Sequence, residues 1–124
     1  MPVRAIRGAV QAAADLPEEI TAAAAELVTE LMVRNGLTGE EMISVILSAT
    51  GDLDAEFPAL GARKAGLTDV PLMCVREMEV PGAMPRVIRV LVHVETSCAR
   101  DEIQHVYLGA TKALRPDLHH GPRT

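Results

Sequence analysis

The sequence contains almost no aromatic residues: its 124 residues include one phenylalanine, one tyrosine and no tryptophan. Proteins that hold single-stranded nucleic acid stack the bases on aromatic side chains, and this sequence lacks those platforms. It also has a net charge of −5 and no cluster of lysines and arginines, whereas nucleic-acid binding needs a basic face. We therefore expect no nucleic-acid partner, and a core built from Ala, Val, Leu, Ile and Met.

Long apolar runs are missing as well. No segment approaches the roughly 18 apolar residues that a membrane-spanning helix needs. The first ten residues include basic side chains but neither the apolar segment nor the cleavage pattern of a secretory signal. The two cysteines, Cys74 and Cys98, do not form a CxxC motif and are expected to be reduced. These features predict a cytoplasmic protein that does not associate with a membrane.

Motifs for metals, cofactors and nucleophilic catalysis are also missing. The four histidines show neither HExxH nor zinc-finger spacing, and there is no P-loop, GxGxxG or GxSxG motif. Cys74 lies among apolar neighbours in a predicted strand, where a thiol is more typical of inert packing than of covalent catalysis. We therefore expect no metal and no cofactor.

Hydrophobic residues make up 48% of the chain, enough for the core of one domain. Their periodicity predicts a mixed α/β domain in the order β-α-β-α-β-β, followed by a short fifth strand. The five strands form one mixed sheet with helices mainly on one face. We expect one domain over residues 1–118 and a flexible tail over 119–124. The predicted strands cover 3–10, 42–49, 70–75, 87–94 and 106–108, the last being short. The first predicted helix starts within DLPEEI (15–20) and runs to Arg34, and a second, short one covers ALGARKAGL (59–67).

Capping signals mark the ends of the first helix. Asp15 is the predicted N-cap, with Glu18 three residues on and Pro17 in the first turn. The Asn35-Gly36 pair predicts the helix end, since glycine adopts the left-handed conformation found there. Thr38, followed by Glu41, predicts a second, short capped turn.

Arg89 is the most informative residue, because it lies inside the predicted strand 87–94. Strand alternation places Ile88, Val90, Val92 and Val94 on the core face, and places Arg89 on the opposite face with Val87, Leu91 and His93. A buried arginine needs a carboxylate or a bound anion as its partner. Two interpretations stay open. Arg89 and Glu77, which ends the preceding strand, could form a structural ion pair at a solvated sheet edge. Alternatively, the Arg89 face of the strand could contact a ligand, which the presence of Arg7 and Arg63 in or near apolar elements also favours.

Four stretches, taken together, resemble one enzyme family. They are RAIRGA (4–9), LSATGDLDAEFPALGAR (47–63), VPLMCVREMEVPGAMPRVIRVLVHVET (70–96) and HVYLGATKALRPDL (105–118). In content and order they are similar to the monofunctional chorismate mutases of the AroH class, and the resemblance extends from Val3 to Leu118.

The resemblance implies both an assembly and a reaction. Family members are homotrimers in which each mixed sheet contributes to a pseudo-α/β barrel, with active sites in clefts between adjacent subunits. They convert chorismate to prephenate by an intramolecular Claisen rearrangement in phenylalanine and tyrosine biosynthesis. The resemblance implies no cofactor, no metal and no covalent intermediate.

The resemblance also implies roles for particular residues. Arg89 corresponds to the arginine at the ether oxygen of the breaking bond, and Glu77 to the carboxylate that binds the substrate hydroxyl, with Cys74 nearby. Arg7 corresponds to an arginine that holds a substrate carboxylate, beside Tyr107. The implied substrate-binding residues are Phe57 and Arg63, lent by the neighbouring subunit, Arg115 near the entrance, and Ala59, Met73 and Leu114 in the lining.

One position departs from the family pattern, and one alternative function stays open. Leu60 occupies a position where some close family members have lysine, and its loss would affect substrate capture at the pocket mouth. The alternative is a trimeric RidA-like enamine/imine deaminase or a carboxylate-binding module, which also use an arginine at a subunit interface. Such a carboxylate binder needs an arginine but not the set of Glu77, Cys74, Arg89 and Arg7, so that set distinguishes the two.

Overall fold

The computed structural model describes residues 1–115, and within them five strands form one mixed sheet. The order across the sheet is β3-β2-β4-β1-β5, with β4 antiparallel to both β1 and β2, while β5 is parallel to β1 and β3 is parallel to β2. The elements are β1 (Val3–Gln11), α1 (Pro17–Arg34), β2 (Met42–Ala49), α2 (Pro58–Lys64), β3 (Leu72–Arg76), β4 (Val87–Glu95) and β5 (Val106–Tyr107). Three 3₁₀ helices cover Gly39–Glu41, Arg100–Glu102 and Gly109–Leu114.

The main core lies between one face of the sheet and the two α-helices. On β4, Ile88, Val90, Val92 and Val94 are all buried, which confirms the predicted alternation of that strand. The core is aliphatic throughout, with α1 supplying Ile20, Ala24, Leu27, Val28 and Leu31. A second, small cluster lies on the other face of the sheet, where Tyr107 packs with Ala9 and Val87 under Met84 and Leu114. The helices thus cover one face of the sheet, and most of the other face has no helix over it.

Two glycines allow the helices to approach closely. A Cβ atom on Gly8 of β1 would lie 2.6 Å from the Val106 carbonyl oxygen and 3.0 Å from Leu27 Cδ1. A Cβ atom on Gly61 of α2 would lie 2.5 Å from the Thr21 carbonyl oxygen of α1. All three distances are shorter than van der Waals contact, so any larger residue would push the layers apart. These glycines fix α1 against the sheet, and α2 against α1.

The predicted capping of α1 by Asp15 is wrong. The helix begins at Pro17 with Leu16 as its N-cap, and no side chain caps it. The Asp15 carboxylate instead accepts hydrogen bonds from the backbone N–H groups of Asp54 and Ala55, each at 3.0 Å. Proline at the first helical position has no N–H to satisfy, so the carboxylate bonds two donors in a distant loop. By contrast, the capping box of Thr38 and Glu41 is confirmed.

The other differences from prediction are at element ends. Strand β3 begins at Leu72 rather than at residue 70, because Pro71 lacks an N–H and contributes only its carbonyl, which accepts a hydrogen bond from Val45 N–H at 3.0 Å. Strand β5 has only two residues, and the 3₁₀ helix Gly109–Leu114 after it was not predicted. The predicted tail, 119–124, lies outside the described residues. No helix within residues 1–115 is long and apolar enough to cross a membrane.

Candidate active site

A single row of residues crosses the face of the sheet that α1 and α2 leave uncovered. The Cα pairings run from Tyr107 to Ala9, from Ala9 to Arg89, from Arg89 to Ser48, and from Ser48 to Val75. With neighbouring strands about 4.8 Å apart, the row spans roughly 19 Å. All five strands therefore contribute one position each to the same face, and Arg89 lies at the centre of the row.

Arg89 and Glu77 form an ion pair at this centre. Arg89 Nε lies 3.4 Å from Glu77 Oε2, with the arginine side chain 44% exposed and the glutamate side chain 23% exposed. Glu77 follows β3 directly, and its backbone N–H donates to the Ala49 carbonyl at 2.9 Å, which fixes the residue beside β2. The pair joins two strands that are not neighbours, and both groups remain partly accessible to a ligand.

Ser48 lies at the Arg89–Glu77 pair, and the sequence analysis did not single it out. Its hydroxyl donates a hydrogen bond to the same Oε2 atom of Glu77 that faces Arg89. A signal was present: Ser44 and Ser48 are the two polar residues of the apolar strand β2. Ser44 contacts the His93 ring, with 3.1 Å between Oγ and Nδ1, so polar pairs recur along this face. Ser48 orients the Glu77 carboxylate and occupies one of its lone pairs.

Arg7 adds a second cation to the same face. It pairs with Leu91, so it lies diagonally from Arg89, at a Cα separation of about 7–8 Å. Its side chain is half-buried, and within residues 1–115 its guanidinium takes part in no hydrogen bond or ion pair. A half-buried guanidinium without a carboxylate partner is suited to bind an anionic group.

Cys74 contributes to this region through its backbone rather than its thiol. It pairs with Leu47, whose side chain is in the core, and the Cys74 side chain packs against that core on the helix side of the sheet. The ladder bonds to β2 use Pro71 C=O and Glu77 N–H, and hydrogen bonds alternate along a parallel strand. The N–H and C=O of Cys74 therefore point away from β2, along the open edge of the sheet.

Phe57 lies in a different place from Arg89 within the chain. It is 68% exposed and borders a cleft of about 350 Å³ that also includes Cys74, Val75 and Arg76. Neither Arg7, Glu77, Arg89 nor Tyr107 lines this cleft. The chain therefore presents an exposed aromatic ring at its sheet edge without bringing it to its own Arg89–Glu77 pair.

The other predicted binding residues are divided between these regions. Ala59 is buried in α2, and Arg63 is exposed in the last turn of that helix. Met73 is 60% exposed on β3, and its pairing with Ile46 places it on the Arg89 face. Leu60, the position that departs from the family pattern, is half-buried in α2. The structure thus brings together Arg89, Glu77, Arg7 and Met73, and separates them from the α2 residues.

Tyr107 is enclosed by its neighbours. It is only 2% exposed, and its ring lies against Ala9 and Val87, with Leu114 packed beside it. The Thr111 hydroxyl bonds the Ala9 carbonyl at 3.0 Å, which fastens the 3₁₀ helix that ends at Leu114 to β1. Arg115 follows directly and is half-buried. This cluster closes one end of the row.

Two carboxyl groups interact in the loop that leads to Phe57. These groups are Asp15 and Asp54, which share a hydrogen bond. That hydrogen bond and the nearby negative charge of Asp15 raise the pKa of Asp54, and the positive charge of Arg76 opposes this increase. Partial dehydration would raise the pKa of Asp15, but hydrogen bonds from Ala55 N–H and from Asp54 outweigh it and lower the value. On titration from acid, Asp15 therefore loses its proton before Asp54 does. Within residues 1–115, no group of three or more metal-binding side chains is placed to hold an ion.

Comparison with known proteins gives a consistent result. Residues 3–118 match the family described as chorismate mutase type I. The chain belongs to this chorismate mutase family. It is 46% identical over 117 residues to chorismate mutase AroH of Thermus thermophilus, covering 94% of this chain and 96% of that protein. It is 40% identical over 119 residues to chorismate mutase AroH of Bacillus subtilis, covering 95% of this chain and 94% of that protein.

The fold agrees with a solved relative. A chorismate mutase structure from Clostridium thermocellum superimposes with a TM-score of 0.86 at 43% identity, covering 88% of this chain and 97% of that one. The family membership and the mixed-sheet fold that were predicted from the sequence are both confirmed. These relatives favour a chorismate mutase over the RidA-like alternative.

Proposed function

We propose that this chorismate mutase rearranges chorismate to prephenate in aromatic amino acid biosynthesis, and that the reaction takes place at the Arg89–Glu77 pair. The observation that carries this proposal is the partly exposed Arg89–Glu77 pair on the uncovered sheet face. Beside it lies Arg7, whose guanidinium has no protein partner among residues 1–115. Family membership supplies the reaction, and this geometry supplies the candidate residues.

Charge complementarity supports a role for Arg7. Chorismate carries two carboxylates, and guanidinium groups bind carboxylates through two parallel hydrogen bonds. Arg7 is the arginine on this face that lacks a protein partner in residues 1–115, so it is available to a substrate carboxylate. Fixing the carboxylates and the hydroxyl of a flexible substrate selects the compact, chair-like conformer in which the two reacting carbons meet.

Arg89 stabilises the transition state. As the C–O bond of the ether lengthens, negative charge develops on its oxygen, and a guanidinium there binds the transition state more strongly than the ground state. Loss of one such donor costs about 3–4 kcal/mol, or a factor of roughly 10²–10³ in rate. When substrate binds, the Arg89–Glu77 ion pair is replaced by contacts to the substrate, and Arg89 can turn toward the ether oxygen. No proton transfer is needed, so no poised histidine or nucleophile takes part.

Glu77 accepts the hydrogen bond of the substrate hydroxyl, and Ser48 holds Glu77 in the orientation that allows it. The backbone N–H and C=O of Cys74 lie along the same sheet edge and offer further hydrogen bonds to that hydroxyl. Tyr107 lies at the β5 end of the row and supports it through its packing with Ala9. Leu114 and Arg115 close that end.

The working enzyme is a homotrimer with its active sites between subunits. Apolar side chains remain exposed on the uncovered sheet face and its edge, among them Val3, Met73 and Val75, with exposures of 54%, 60% and 43%. A neighbouring sheet that covers them would gain from their burial. Phe57 and Arg63 of one subunit then complete the pocket around Arg89 of the next, together with Ala59. We place this single domain, residues 1–118, in the cytoplasm, without cofactor, metal, nucleic acid or membrane.

The test is direct. Purified protein is mixed with chorismate, loss of substrate absorbance is followed, and prephenate is identified as the product. In parallel, the protein receives a small enamine or imine substrate that releases ammonia. We expect prephenate and no ammonia; ammonia release with untouched chorismate would favour the RidA-like alternative. The mass of the protein in solution, measured by light scattering, should equal three chains.

A further inference from the structure

Residues 54–57, called here the Phe57 segment, have no regular secondary structure and lie between two fixed points of the chain. Before the segment, Leu53 is buried in the core, and its backbone N–H donates to the Thr50 carbonyl at 3.0 Å. After the segment, α2 begins at Pro58, which is also buried. The side chains between these points are exposed or half-buried, so little apolar packing holds the segment in one conformation. The position of the Phe57 ring therefore depends on contacts of the backbone.

Asp15 makes two of these backbone contacts. Its Oδ1 atom accepts hydrogen bonds from the N–H groups of Asp54 and Ala55, each at 3.0 Å. The Phe57 N–H donates to the side chain of the adjacent Glu56 at 2.9 Å, a bond within the segment that does not attach it to the rest of the chain. Hydrogen bonds to an ionised carboxylate are stronger than those between neutral groups. The Asp15 carboxylate thus attaches the first half of the Phe57 segment to the loop before α1.

Asp15 itself lies between two well-fixed parts of the chain. Three residues before it, Ala12 is buried and exchanges two hydrogen bonds with Arg86. The Ala12 N–H donates to the Arg86 carbonyl at 2.8 Å, and the Ala12 carbonyl accepts from Arg86 Nε at 3.0 Å. Two residues after Asp15, α1 begins at Pro17, and this helix packs on the sheet through its apolar side chains. The carboxylate is therefore held relative to the core, and its hydrogen bonds pass that position on to the Phe57 segment.

We propose that Asp15 is a positioning residue for the reaction, because its carboxylate holds the Phe57 segment so that the Phe57 ring projects into the substrate pocket of the adjacent subunit. This inference rests on the proposed function, in which Phe57 completes the pocket around Arg89 of the next subunit. Asp15 acts through the segment and does not contact substrate: it limits the conformations that the segment must give up when substrate binds. Loss of the carboxylate should therefore weaken substrate binding and leave the rearrangement step, which depends on Arg89, nearly unchanged.

Steady-state kinetics with chorismate test the inference. Asp15→Ala should raise KM by about fivefold, with kcat within about twofold of the wild-type value. Asp15→Asn keeps an Oδ1 atom that accepts both N–H groups, so its KM should return to within about twofold of the wild-type value. Glu41→Ala is the matched control, because Glu41 accepts the Thr38 N–H at 3.2 Å at the opposite end of β2. This control loses a comparable bond between a carboxylate and the backbone, and it should keep the wild-type KM.

Two further measurements show whether Asp15 acts through the Phe57 segment. In the Phe57→Ala background the ring is absent and its position no longer matters, so adding Asp15→Ala should change KM by less than about twofold. Hydrogen exchange of peptides that cover residues 50–60 reports the attachment of the segment without any turnover. Exchange there should be faster in Asp15→Ala than in the wild type, and unchanged in Glu41→Ala.

Several results would overturn the inference while the wild type still makes prephenate. They are a wild-type KM for Asp15→Ala or for Phe57→Ala, effects of the two substitutions that multiply in the double variant, and unchanged exchange over residues 50–60. A lower mass of the Asp15→Ala assembly by light scattering would also overturn it, since Asp15 would then act in assembly. Failure of the proposed function gives a different result: the wild type leaves chorismate untouched, while exchange over residues 50–60 still differs between wild type and Asp15→Ala.

Discussion

Ser48 donates a hydrogen bond to the Glu77 carboxylate oxygen that Arg89 Nε approaches at 3.4 Å. One oxygen atom thus receives a neutral donor from β2 and a cation from β4. The hydroxyl fixes the carboxylate against the sheet, so Glu77 stays in position when Arg89 turns toward a substrate. Because hydrogen bonds to charged groups contribute about 1.5–3 kcal/mol, this contact is strong enough to affect catalysis.

Replacing Ser48 by alanine should therefore lower kcat/KM for chorismate by roughly tenfold, equivalent to about 1.4 kcal/mol. Glu77 keeps its charge in this variant but loses the group that orients it. Steady-state kinetics measure the effect. Ser44→Ala is the matched control, since Ser44 lies on the same strand and contacts His93 rather than Glu77. Equal activity of the two serine variants would show that Ser48 does not position Glu77.

Asp54→Asn should stabilise the protein at neutral pH. The adjacent Asp15 raises the pKa of Asp54, so the fold favours the protonated acid, which asparagine mimics. For a carboxyl group with a raised pKa, stability is present below its unfolded-state pKa and is lost as the pH rises through the folded-state pKa. Melting temperatures should therefore differ most near pH 7, with the variant higher, and converge in acid. A variant that is less stable at pH 7 would contradict this coupling.

Gly61→Ala should destabilise the contact between α1 and α2. The new Cβ would lie 2.5 Å from the Thr21 carbonyl oxygen and 2.8 Å from the Ala25 nitrogen, both backbone atoms that cannot turn aside. Overpacking of this kind costs about 1–3 kcal/mol, which lowers the melting temperature of a domain this size by roughly 5–15 °C. Gly39→Ala is the control, because its Cβ would meet only Leu67 Cδ2, at 3.8 Å. Both variants are compared at one protein concentration, and similar melting temperatures would refute the close-packing role.

Structural features that depend only on neighbouring residues in the sequence could be predicted. The alternation of β4 gave the core residues Ile88, Val90, Val92 and Val94, and placed Arg89 on the opposite face, because successive side chains of a strand point to opposite sides. The capping box of Thr38 and Glu41 was predictable for the same reason, since its partners are three residues apart.

Non-local contacts were not predictable in this way. The meeting of Ser48 and Glu77 depends on the register of β2 against β3, which the local pattern of either strand does not specify. Asp15 has the residue type and position of an N-cap, but its partners are in a loop 39 and 40 residues away. The resemblance to the family identified Arg89 and Glu77 as a pair, but it gave no indication of Ser48.

The most direct test of the reaction assignment is the turnover number of Arg89→Ala with chorismate, measured beside Arg76→Ala. Arg76 is an exposed β3 arginine paired with Glu79 at 3.8 Å, so its loss removes one positive charge without removing the proposed transition-state donor. We expect kcat to fall roughly 10²–10³-fold in Arg89→Ala, with both variants folded and the Arg76 variant close to the wild type. A kcat for Arg89→Ala within about threefold of the wild-type value would contradict the central role of Arg89.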